Sequence, residues 1–175
     1  KVKLLKIIYF PAIRIYNVPS RTASNMTAET TLRLANASEK FIGIKEASDD
    51  IYQVIKILKG RPKNFLMLSG DDFITLPLIA VGGDGVISVI ANATPKPFSD
   101  MVRAALRQDI ATAQKLNFKF LELYKLLFLE GNPVGVKAAM ELQGLCSRDV
   151  RLPLVPMSEQ GVHLIMSELE KVIES

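Results

Sequence analysis

The chain has 175 residues, 49% of them apolar, and a formal net charge of +4. That length suits one globular domain, and the small, scattered excess of base excludes a nucleic-acid binder of the Arg-rich, aromatic-interleaved kind. One cysteine (Cys146) and one histidine (His163) exclude an intrachain disulfide and a multi-cysteine metal site, and they leave His-based zinc or Ser–His–Asp chemistry without support; the lone thiol points to a reducing, cytoplasmic setting.

The opening KVKLLKIIYF is too short and too charged for a membrane span and has no small-residue cleavage site. Four apolar, partly β-branched runs follow: AIRIYN (12–17), KFIGIK (40–45), NFLMLS (64–69) and DGVISVI (84–90). Each precedes a helical pattern, over 27–38, 50–59, 72–80 and 97–107. Pro77 either weakens the third helix or marks its first turn, and a proline opens the fourth. This is the rhythm of βα units, and near-continuous hydrophobic strands belong to a parallel sheet covered on both faces.

Beyond residue 108 the pattern turns helical. Residues 109–129 read as one long amphipathic helix, 133–143 as a second starting at Pro133, and 158–174 as a third capped by Ser158. RLPLVP between the last two is an extended connector, because two prolines bar it from helix. In the last helix Val162, Ile165, Met166, Leu169 and Val172 repeat at helical spacing, which leaves His163 on the polar face. The chain thus divides into an α/β part, 1–108, and a helical extension, 109–175. Four βα units are too few to close a barrel, which takes eight strands and typically about 250 residues. The α/β part is either a small open sheet or the back half of a (β/α)8 barrel.

In either fold the binding groups gather at the carboxyl ends of the strands. Those ends carry Tyr16, Lys45, Ser69–Gly70–Asp71 and Ile87–Ser88. A phenol and an amine facing one cavity, with small residues and polar backbone beside them, suit carbonyl chemistry through a Schiff base. An unperturbed lysine, with a pKa of about 10.4, is almost wholly protonated at pH 7. A poorly solvated strand end disfavours the ammonium and would free the amine of Lys45 to attack. The alternative is a lysine that reaches water or pairs with Glu46 or Asp49. GGDG (82–85) precedes a strand rather than a helix and reads as a tight turn, not a phosphate loop. Asp71 and Asp72 lack a third metal ligand nearby and read as a helix cap. EGNPVGVK (130–137) reads as a helix-to-helix turn, and Arg21 as either a surface residue or a carboxylate clamp.

YNVPSRT, FIGIKEAS, LSGDD, GGDGVISVIAN and EGNPVGVKAAMELQG, in this order and at these intervals, resemble the dihydrodipicolinate synthase family from about Pro11 to the C-terminus. The resemblance implies a (β/α)8 barrel with C-terminal helices, of which this chain holds about four βα units. It also implies class I aldolase chemistry in lysine and diaminopimelate biosynthesis: pyruvate condenses with aspartate 4-semialdehyde, without metal or organic cofactor. Lys45 matches the Schiff-base lysine and Tyr16 the proton-relay tyrosine. Arg21 matches the arginine that holds the semialdehyde's carboxylate, and Gly70 and Ile87 match positions lining the pyruvate site, Ile87 through its backbone carbonyl. Arg21 favours the synthase over sibling pyruvate-dependent lyases acting on N-acetylneuraminate or keto-deoxy sugar acids.

The resemblance further implies a homo-oligomer. The family's Gly-Thr-Thr-Gly-Glu loop, its second tyrosine and most of its lysine-feedback site have no counterpart in the sequence, and Ala23 and Asp49 stand where glycine is common. A half-barrel with open edges is expected to self-associate or to form part of a longer chain. The competing expectations are a catalytically impaired half-barrel and an unrelated flavodoxin-like binding module.

Overall fold

The computed structural model describes residues 12–173. The opening decapeptide, Pro11 and the final residue of the expected last helix lie outside the described residues. Strands β1 (Ile13–Asn17), β2 (Phe41–Glu46), β3 (Leu66–Ser69) and β4 (Gly85–Val86) pair in parallel, in that order, as one sheet. Helices α1 (Pro19–Thr22), α2 (Ala28–Ala37), α3 (Ile51–Gly60) and α4 (Thr75–Ala80) lie between the strands. After β4 come a 3-10 turn (Ile90–Asn92) and helices α5 (Pro95–Leu106), α6 (Ile110–Lys119), α7 (Leu121–Leu126), α8 (Val134–Glu141) and α9 (Glu159–Ile173).

Side-chain caps set several helix starts. Thr27 accepts from the Thr30 amide, Asp50 from Gln53 and Asp109 from Thr112, as short polar residues do at N-termini. α5 begins two residues earlier than the expected 97, and both Pro95 and Pro97 fall in its first turn, where a missing N–H costs nothing.

Beyond the strand end of YNVPSRT, Pro19–Thr22 closes one helical turn. Three expectations need correction. The fourth strand is two residues rather than seven: the chain turns at Ser88, whose hydroxyl accepts from the Ala91 amide, and Asp72 captures the Val89 and Ile90 amides at 3.0 and 2.8 Å. Asp72 therefore serves this distant segment rather than its own helix; α4 begins at Thr75 with no side-chain cap. The long helix breaks at Phe120, which is buried edge-on against Phe98 with ring centroids 5.6 Å apart.

Two cores result. Ile15, Ile44 and Met67 from one face of the sheet pack with Val54 and Ile57 of α3 and Ala28 and Ala35 of α2. The larger core runs from Leu76 to Val172 and joins α4 and α5 to the helical extension across residue 108. Below the sheet, Arg61 pairs with Asp84 of the GGDG turn, and Asp84 also accepts from the Met67 amide at 2.7 Å. The site is at the opposite end of the strands, and that lower clasp fixes the frame beneath it. His163 and Cys146 are exposed.

Candidate active site

Strand register places Tyr16 opposite Lys45, and Lys45 opposite Leu68. Alternation points these three away from Ile15, Ile44 and Met67, onto the face not covered by α2 and α3. This face is open: Tyr16 is 53% exposed, and Leu66 and Ile87 are each 39% exposed. Lys45 is half-buried, and its Nζ sits 4.4 Å from the centroid of the Tyr16 ring. At an exposed ring such as that of Tyr16 this contact is worth about 0.5–1 kcal/mol, and it holds the long side chain beside the phenol.

The other sequence-predicted residues gather at the same strand ends. Gly70 follows β3 and donates its amide to the Glu46 carbonyl at 2.6 Å. A Cβ there would stand 2.6 Å from that of Ala47, so only glycine fits. Ile87 follows β4 and donates its amide to the Ser69 carbonyl at 2.9 Å. Arg21 sits in α1, exposed, four residues before Asn25, whose side chain is hydrogen-bonded to Asn17 and Gln53. Ala23, which ends α1, adopts the left-handed region at φ 54°. Asp71 accepts from the Phe73 amide in a local turn.

Sequence reasoning missed a polar cluster behind the tyrosine–lysine pair. Glu46 is fully buried on the helix-facing side of β2. Its carboxylate accepts from Asn17 Nδ2 at 2.8 and 3.0 Å, from Gln53 Nε2 at 3.0 Å and from the Ser48 amide at 2.8 Å. The only signal in the sequence is strand alternation: a residue next to an inward lysine must face the helices. Among the described residues no cluster of three His, Cys, Asp or Glu side chains can hold a metal, and no helix is long and apolar enough to cross a membrane.

A family model described as the dihydrodipicolinate synthetase family matches residues 7–172. The chain belongs to that family. It is 56% identical over 159 residues to 4-hydroxy-tetrahydrodipicolinate synthase of Phocaeicola vulgatus, a match covering 89% of this chain and 54% of the relative. The Methanosarcina barkeri enzyme of the same name is 45% identical over 171 residues, covering 97% and 58%. Dihydrodipicolinate synthase from Thermotoga maritima superposes with a TM-score of 0.89 at 38% identity, over 92% of this chain and 56% of that one. The chloride-inhibited enzyme of Acinetobacter baumannii, complexed with pyruvate, gives 0.86 at 35% identity, over 91% and 54%. The chain spans about half the length of the relatives it matches. Its four βα units and C-terminal helices have the architecture of the corresponding part of this (β/α)8 family, which excludes the flavodoxin-like module.

Proposed function

We propose that this chain carries the Schiff-base machinery of a 4-hydroxy-tetrahydrodipicolinate synthase. The observation that carries the reading is the pairing of Lys45 with Tyr16 at the carboxyl ends of adjacent parallel strands, in a member of this family. The unprotonated Nζ of Lys45 attacks C2 of pyruvate, and the carbinolamine oxygen takes up a proton and leaves as water, so that a protonated imine remains. That imine draws electrons from C3, which loses a proton to become an enamine. The enamine carbon adds to the aldehyde of aspartate 4-semialdehyde. The amine of the adduct then displaces Lys45 at C2, closing the ring and freeing the enzyme.

Tyr16 is proposed to shuttle the protons, its phenol lying beside the amine that must gain and lose them. Arg21 is proposed to clamp the semialdehyde's carboxylate, and Gly70 and the Ile87 carbonyl to line the pyruvate site. No metal or organic cofactor enters this scheme, since the imine is the electron sink. A cytoplasmic setting and assembly into a homo-oligomer belong to the same proposal.

Reductive trapping tests it. The chain is incubated with pyruvate and borohydride, and its mass and peptide map are measured. A reduced pyruvyl group on Lys45 is the expected result; absence of any adduct there would sink the reading.

A further inference from the structure

Glu46 has no place in the scheme above, yet it is the fully buried carboxylate next to the proposed nucleophile. Its four donor contacts come from three separate segments. Asn17 adjoins Tyr16 on β1 and is Glu46's register partner. Ser48 begins the turn after β2, and Gln53 lies in the first turn of α3.

The network extends to the loop behind Arg21. Asn17 Nδ2 donates to Asn25 Oδ1 at 2.8 Å, and Asn17 Oδ1 accepts from the Met26 amide at 3.0 Å. Gln53 Nε2 donates to the Met26 carbonyl at 3.2 Å, and Asn25 Nδ2 donates to Gln53 Oε1 at 3.1 Å. Both carboxylate oxygens and both carboxamides of Asn17 and Gln53 are thus engaged, and neither residue is more than 6% exposed. A satisfied buried network of this kind specifies a single arrangement of the segments it joins. Here those segments bear Tyr16, Lys45 and the turn of Arg21.

We propose that Glu46 is a positioning residue for imine formation, holding Lys45 and Tyr16 in reacting register and tethering the Arg21 loop to the same anchor. It acts from the far side of the sheet, touching no substrate. The inference rests on the Schiff-base reading of Lys45. Glu46→Gln is the sharpest probe: in either amide orientation its NH2 meets a donor, the Ser48 amide on one side or Gln53 Nε2 on the other.

The experiment measures the rate of borohydride trapping by pyruvate across pyruvate concentrations. Glu46→Gln is expected to lower the saturating rate about tenfold or more, as small displacements of reacting groups do, with little change in the half-saturating pyruvate concentration. Glu46→Gln combined with Gln53→Glu returns one carboxylate to the cluster with the donor and acceptor exchanged, and it regains most of the lost rate. Asp84→Asn, at the opposite end of the strands, leaves the rate unchanged. If Glu46→Gln does not fold, Gln53→Met removes one donor to the carboxylate without adding one, and it is expected to slow trapping by a smaller factor.

Trapping at the unmodified rate in a folded Glu46→Gln or Gln53→Met chain overturns the positioning role. So does equal slowing by Asp84→Asn, which would mark general loosening. No adduct in the unmodified chain overturns the Schiff-base reading and the positioning role with it. An adduct there, with a Glu46 variant unaffected, overturns the positioning role alone.

Discussion

Lys45 and Tyr16 are register partners on neighbouring parallel strands, and the lysine Nζ lies over the tyrosine ring at 4.4 Å. One local contact thereby couples the proposed nucleophile to the proposed proton carrier. The two roles separate experimentally. Lys45→Ala is expected to abolish trapping by pyruvate. Tyr16→Phe keeps the ring and loses only the hydroxyl, so trapping persists. Deuterium wash-in at the pyruvate methyl group, which reports enamine formation, should slow about a hundredfold. NMR of pyruvate in heavy water reads this directly. Wash-in at the unmodified rate would remove Tyr16 from the proton path.

Asp72 gives a pH signature. Burial pushes its carboxyl above the ordinary 3.8, against the pull of Ser88 and the amides of Ile90 and Val89. The folded chain therefore holds that proton more tightly than the unfolded chain does. The associated stability is fully present below pH 3.8 and is lost as pH rises through the raised folded value. Asp100 and Asp109, held below their ordinary values by Lys96 and Thr112, act in the opposite sense and at lower pH. Urea unfolding across this range should show the stability of the unmodified chain falling, relative to Asp72→Asn, as pH increases. A difference that stays flat with pH would refute the assignment.

The Gly70 position tests how closely β2 and β3 approach at the site. Alanine there would bring its Cβ to 2.6 Å from the Ala47 Cβ and 3.0 Å from the Glu46 carbonyl oxygen. Relieving that overlap must shift the strand ends, and overpacking of this kind costs about 1–3 kcal/mol. Gly70→Ala should lower the urea midpoint accordingly and slow trapping on Lys45. A variant as stable and as reactive as the unmodified chain would show that the strand ends are not tightly packed.

The lower clasp makes the converse case. Asp84 neutralises Arg61 and satisfies the Met67 amide, so Asp84→Ala leaves a buried N–H without its acceptor. The expected loss is about 1–3 kcal/mol in unfolding free energy, with trapping unaffected, because this end of a parallel α/β sheet serves stability rather than chemistry. Slowed trapping would show that the two ends of the sheet are coupled.

Strand ends were the legible part of the site. FIGIK announces a buried strand closing on a lysine, YNVP a strand closing on a tyrosine, and a parallel sheet puts both on one rim. The Glu46 cluster was not legible because its members, residues 17, 25, 46 and 53, each have an ordinary local reading and meet only through pairing of β1 with β2 and packing of α3. β4 is shorter than its apolar run for a related reason. The apolar run continues to Ile90, but capture of the Val89 and Ile90 amides by Asp72 turns it into a 3-10 segment. The break at Phe120 follows from its seat on Phe98 rather than from any glycine or proline.

Ala23 offers the last test, and it joins sequence to conformation. It ends α1 at φ 54°, in the left-handed region. For an L-residue with a Cβ that conformation costs on the order of 1–2 kcal/mol, whereas glycine enters it freely. Glycine loses more entropy on folding, roughly 0.5–1 kcal/mol relative to alanine, which offsets part of the gain. Ala23→Gly should therefore stabilise the chain by up to about 1 kcal/mol, read as a higher urea midpoint with an unchanged slope. The αL residue is also two positions beyond Arg21 and two before Asn25, so the same variant reports on the Arg21 turn. Because Asn25 and Met26 are already anchored to Asn17 and Gln53, trapping of pyruvate on Lys45 should not change. A destabilised Ala23→Gly chain would mean that the strain at Ala23 is smaller than the entropy that glycine adds to the unfolded state.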